Sequence, residues 1–158
     1  MIRKIIGLLM LAAVVLAVTV SLALMLSSDS TEPMVDTRLE SAVDEWRQDM
    51  YHAHIDYVNA YNRIDIIRVR AGDGLHSGSS DLIKGEVSVT LTQLDSGKYS
   101  VMGTLYHELG HQVFRLEHGS CALMRNQVWT ESEYREHWEE WKREYIQECI
   151  KHEFNSKY

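Results

Sequence analysis

His107-Glu108-Leu109-Gly110-His111 sets two imidazoles four positions apart with a carboxylate beside the first, and a third histidine, His118, follows closely. On an α-helix a four-residue step rises about 6 Å and turns about 40°, so His107 and His111 project from one face and can share a metal ion. Glu108 then stands beside that metal, placed to take a proton from water. These are the donors of metal-assisted hydrolysis. Zinc lowers the pKa of a bound water from about 15.7 towards 7 and polarises a carbonyl, and a neighbouring carboxylate passes the proton to the leaving group. The expected cofactor is Zn2+, with Glu108 as general base.

A catalytic zinc normally has three protein ligands and one open position. Two neighbours compete for the third place. Neutral imidazole is the commoner donor and favours His118, while Glu117 offers a carboxylate. If the helix simply continued, His118 would stand about 10 Å along its axis from His111. The set His107, His111 and His118 therefore predicts a helix break between about Phe114 and Glu117. Cys121 as a fourth ligand would close the site to water and leave a non-catalytic zinc module.

The run His-Glu-Leu-Gly-His-Gln-Val-Phe-Arg-Leu-Glu-His-Gly-Ser-Cys-Ala-Leu-Met, 107–124, resembles the zincin metallopeptidases, specifically their metzincin-like branch. Small metallopeptidase-like proteins of bacteria and phages show a similar pattern. The resemblance implies zinc on His107, His111 and a third residue, a methionine turn beneath the metal at Met124, and peptide or protein as substrate. It also implies an edge strand that pairs with an extended peptide, for which 86–92 is the candidate. The sequence departs from the family spacing HExxHxxGxxH. Phe114 occupies the glycine position and Glu117 the third-ligand position, with His118 one residue late. A one-residue insertion around Phe114–Leu116 restores the match. Tyr106, Arg125 and His76 are candidates for stabilising an oxyanion. The same donors serve a peptide bond or another amide, such as a cell-wall bond.

The elements that must hold these residues follow from periodicity. Leu39, Val43, Trp46, Met50, Tyr57 and Tyr61 recur at helical steps over 36–61. His54 lies near that stripe and reads as a packed histidine. β-Branched residues mark a strand at 64–69, and 71–85 is a glycine- and serine-rich loop. The loop is not a phosphate-binding one, because no Lys-Ser/Thr pair follows. Alternation over 86–92 predicts a half-buried strand. Asp95-Ser96-Gly97 reads as a turn before the motif helix, 99–114, which offers Val101, Leu105, Leu109 and Val113 to a core. Thr130 and Glu133 form a capping-box pattern opening a last helix to about Phe154, with Tyr134, Trp138, Trp141, Tyr145 and Cys149 as its apolar stripe. The expected fold is α+β: a minimal zincin-like domain with a small sheet and about three helices.

Arg3 and Lys4 precede an apolar run over 5–26, long enough as a helix to cross a bilayer core of roughly 30 Å. It reads as a retained signal anchor, 1–27, followed by a polar linker, 28–35, and one domain, 36–158. The basic residues put the N-terminus in the cytoplasm and the domain outside, or secrete the domain if the segment is cleaved. The membrane is then a partner through the N-terminal helix. A net charge of −7 argues against nucleic acid as a partner. Outside the cytoplasm, Cys121 and Cys149 are candidates for one disulfide.

Overall fold

The computed structural model describes residues 32–72 and 76–156. The anchor expected over 1–27 lies outside them. Among the described residues no helix is long and apolar enough to cross a membrane.

Four strands, β1 (Met34–Val35), β2 (Ile66–Arg70), β3 (Gly78–Asp81) and β4 (Glu86–Thr90), form one mixed sheet in the order β1-β2-β4-β3. β1, β2 and β4 run parallel, and β3 pairs antiparallel with β4. Five α-helices accompany it among the described residues: α1 (Glu40–His52), α2 (Val58–Tyr61), α3 (Leu91–Ser96), α4 (Lys98–Leu109) and α5 (Glu131–Ser156). The class is α+β, as expected, with more helices than the three anticipated. The linker expected over 28–35 ends in β1, whose Val35 pairs with Ile67.

The first helix is shorter than its apolar stripe suggests. α1 stops at His52, and His54 turns the chain with φ 58°. Continued as one helix, Tyr57 would stand about 16 Å along the axis from Trp46. The turn instead folds Tyr57 and Tyr61 back, placing their rings 5.2 and 5.8 Å from that of Trp46. His54 is exposed at this turn and is not the packed histidine expected.

The loop expected over 71–85 contains β3. Gly-Ser-Ser-Asp has no apolar alternation, so its pairing is dictated by β4, with Gly78 opposite Val89 and Ser80 opposite Val87. The hairpin closes when Asp81 Oδ1 accepts the N–H groups of Ile83 and Lys84, both at 3.1 Å, and Gly85 takes φ 61°. With β2 on one side and β3 on the other, β4 is interior. Ser88 and Thr90 are therefore as buried as Val87 and Val89, and the strand is not half-exposed. The strand also stops at Thr90, and Asp95 and Ser96 belong to α3 instead of a turn.

α4 is the central element. Val101, Met102, Leu105 and Leu109 join Val87 and Val89 of the sheet and Trp46 and Met50 of α1 in one core. Its first turn is capped from α5, where the Glu131 carboxylate accepts the Ser100 N–H at 2.8 Å. α5 buries Tyr134, Trp138, Trp141, Tyr145 and Cys149, the stripe expected. Its start is the expected capping box: Glu133 Oε2 accepts the Thr130 N–H at 2.8 Å, and Thr130 Oγ1 accepts the Glu133 N–H at 3.3 Å. The two helices meet at Gly103, where an added Cβ would strike the Tyr134 ring.

Gly103→Ala is expected to destabilise the fold by about 1–3 kcal/mol through overpacking against Tyr134. Urea unfolding of variant and wild type reads the difference; an unchanged midpoint would show that the contact is not tight.

Candidate metal centre

α4 carries His107 and Glu108 in its last turn and hands over to a single π-helical turn, Gly110–Phe114, which contains His111. The turn widens the helix by one residue before Arg115 ends it with φ 58°. Both the Arg115 and Leu116 N–H groups bond to the Gly110 carbonyl, Leu116 at 3.1 Å. Leu116 is then buried, and His118 swings back over the helix face. The helix break thus falls where a histidine donor at 118 requires it.

The Nε2 atoms of the three histidines converge. His107 and His111 lie 3.0 Å apart, His111 and His118 3.1 Å, and His107 and His118 3.2 Å. Glu117 is exposed and does not join the group. Nor does Cys121, so the donors that close together among the described residues are these three histidines. They can hold one metal ion. Tetrahedral zinc at 2.0–2.1 Å from each nitrogen sets donors about 3.3–3.4 Å apart, close to the observed triangle.

Ring orientation supports the same reading. The Nδ1 atoms of His107 and His111 donate to the carbonyls of Leu123 at 2.7 Å and Leu116 at 2.6 Å. A carbonyl only accepts, so each ring carries its proton on Nδ1 and its lone pair on Nε2. Two lone pairs 3.0 Å apart repel unless a cation lies between them. Burial lowers the His107 pKa to about 4 and also lowers that of His111, so both rings are held in the neutral, metal-binding form.

The Leu123 carbonyl belongs to a 3₁₀ turn, Ala122–Met124, whose first N–H is received by Glu144 of α5 at 3.3 Å. Met124 is fully buried beneath the helix at Gly110. A Cβ on Gly110 would lie 2.7 Å from Met124 Sδ and 3.1 Å from Tyr145 Cε2. The glycine inside the motif thus lets the Met124 side chain pack close against the helix. Cys121 and Cys149 are both buried, free thiols.

Glu108 is buried against the edge strand. A Cβ on Gly78 would meet Glu108 Cγ at 3.0 Å and Thr104 Cγ2 at 2.6 Å, so only glycine lets β3 approach this closely. Burial raises the Glu108 pKa to about 7, opposed by a hydrogen bond from Ser80 and by the charges of Arg70 and His76. A dication at the histidines acts in the same opposing sense, favouring the carboxylate.

A cleft of about 470 Å³ opens over the cluster. Ser77, Gly78, Ser79 and Ser80 form one wall, and Arg125, Asn126, Gln127 and Val128 form another. β4, the expected edge strand, is interior; β3 is the edge and borders the cleft. Of the candidate oxyanion groups, His76 and Arg125 line the cleft. Tyr106 does not: it is fully buried and donates to Asp49 Oδ2 at 2.6 Å, a carboxylate also held by Lys142 at 3.3 Å. Spacing does not reveal the Ser80 and Gly78 contacts to Glu108, or the two orienting carbonyls. Only the clustering of glycine and serine before the strand hinted at a close approach. No protein-family model, curated protein or solved structure gives a match to this chain.

His118→Ala is expected to lower metal affinity by at least tenfold, whereas Glu117→Ala leaves it unchanged; calorimetric titration of each full-length variant with zinc reads both, and the opposite ranking would return the third position to Glu117. Arg115→Val places a β-branched residue at φ 58° and should cost about 1–2 kcal/mol of stability, while Arg115→Gly should cost nothing or stabilise slightly. Denaturant midpoints compare the pair.

Proposed function

We propose that this chain is a zinc-dependent metallopeptidase of the zincin type, held to a membrane by its N-terminal apolar run with the hydrolytic domain outside the cytoplasm. The observation that carries the reading is the convergence of three imidazole Nε2 atoms within 3.2 Å, beside a buried glutamate on the floor of a cleft. His107, His111 and His118 hold the metal. Zinc at such a site supplies a Lewis acid and an acidified water. Glu108 accepts the proton on its carboxylate and returns it to the departing amine. Ser80, bonded to that carboxylate, keeps it aimed at the cleft.

The edge strand supports a peptide as substrate. Among the described residues β3 pairs on one side only, with β4, so its other side offers backbone donors and acceptors to an extended chain. A purely structural zinc would be closed by a fourth protein ligand, and Cys121 stands apart from the donor group. A buried carboxylate at this position costs stability and has no use in a closed site. The alternative of another amide as substrate rests on the same residues and is decided by substrate choice.

Glu108→Gln is expected to retain about one zinc per chain and to lower kcat/KM on a peptide library by at least about 10²-fold. Elemental analysis and library digestion with the full chain provide the two readings. Undiminished cleavage by the variant would remove Glu108 as the base, and wild-type protein that takes up no zinc would sink the reading altogether.

A further inference from the structure

Charge is distributed unevenly in the cleft. Among the described residues lining it, Glu108 is the only carboxylate and Arg125 the only arginine or lysine. Arg125 follows Met124 directly, where the backbone leaves the 3₁₀ turn in an extended conformation, and its side chain is exposed. Among the described residues no carboxylate lies within ion-pair distance of Arg125, in contrast to Arg38, Arg47, Arg68 and Arg135 though not to every arginine of the chain. The Arg125 guanidinium carbon instead lies 5.9 Å from the centroid of Trp129, whose ring packs 4.8 Å from that of Trp141 on α5. That cation–π contact draws the charge towards the aromatic face while the side chain stays exposed at the cleft.

We propose that Arg125 is a specificity residue that binds one carboxylate of the peptide substrate, an inference that rests on the peptidase reading. A planar guanidinium fork in the cleft, with no carboxylate at ion-pair distance among the described residues, matches the bidentate geometry of a carboxylate. The chain's net charge of −7 repels polyanions, so the fit is to a single carboxylate presented locally. That group is either an acidic side chain near the scissile bond or the C-terminus of the substrate. An oxyanion donor, by contrast, would act on all substrates alike.

The test uses the full chain and matched peptides carrying Glu, Gln or Lys at successive positions around the cleaved bond, each with a free or amidated C-terminus. Wild type is expected to favour the carboxylate-bearing member in kcat/KM by about tenfold or more, as a charged hydrogen-bonded pair allows. Arg125→Ala should bring that ratio to about one, and Arg125→Glu should invert it towards Lys-containing peptides. A position-specific Glu effect identifies a side chain, and an effect of amidation identifies the C-terminus. A ratio that Arg125→Ala leaves unchanged overturns the proposal, including the case of a uniform loss. Equilibrium binding of the same peptides to Glu108→Gln, with and without Arg125→Ala, separates the two readings. Arg125-dependent preference for the carboxylate without cleavage by wild type would keep the binding site and discard the peptidase. Equal binding of all peptides would discard the carboxylate site.

Discussion

The hydrogen bond from the Leu116 N–H to the Gly110 carbonyl closes the end of the motif helix, and the site depends on it. It works together with the left-handed conformation of Arg115. The pair reverses the chain within one residue of Phe114, drives Leu116 into the core, and presents the Leu116 carbonyl to His111 Nδ1. Reversal and tautomer are thus set by one residue. The same reversal brings His118 back to the face that His107 and His111 share. Were the helix to run one more turn, the third imidazole would leave the group by a distance no side chain can recover.

The turn at Ala122–Met124 plays the matching part for His107. Its Leu123 carbonyl fixes that ring from below, and Met124 fills the groove that Gly110 leaves open. α5 holds this turn through Glu144, whose carboxylate accepts the Ala122 N–H. The first two donors are therefore each oriented by a backbone group on the segment that follows the helix. That segment is itself anchored on a helix whose tryptophans and tyrosines supply much of the core.

What the sequence shows well is what depends on short-range periodicity. The motif helix, the capping box at Thr130 and the stripe of α5 follow from spacings of three and four, and so does the need for a break before His118. β3 is not visible, because Gly-Ser-Ser-Asp has no pattern of its own and becomes a strand only where β4 and the flank of α4 receive it. The break at His54 is hidden because the apolar spacing runs on at helical steps while the chain folds back to set Tyr57 edge-on against Trp46 and to stack Tyr61 on it. Tyr106 lies beside the motif in sequence but faces Asp49 across the core. Adjacency along the chain says little about which face of a buried helix a side chain takes.

The donor triangle spans a sequence separation of only eleven residues, from His107 to His118. Loop-closure entropy grows with the logarithm of loop length, about 0.6 kcal/mol per doubling, so drawing three imidazoles together over so short a stretch is undemanding. The walls of the cleft are different. The Gly78 strand reaches Glu108 from thirty residues upstream, and Glu144 reaches Ala122 from 22 residues downstream. Coordination is thus a local property of the chain, while a groove in which bound substrate could be oriented is a non-local one. A lesion in the distal scaffold would first blur the groove and only later scatter the ligands.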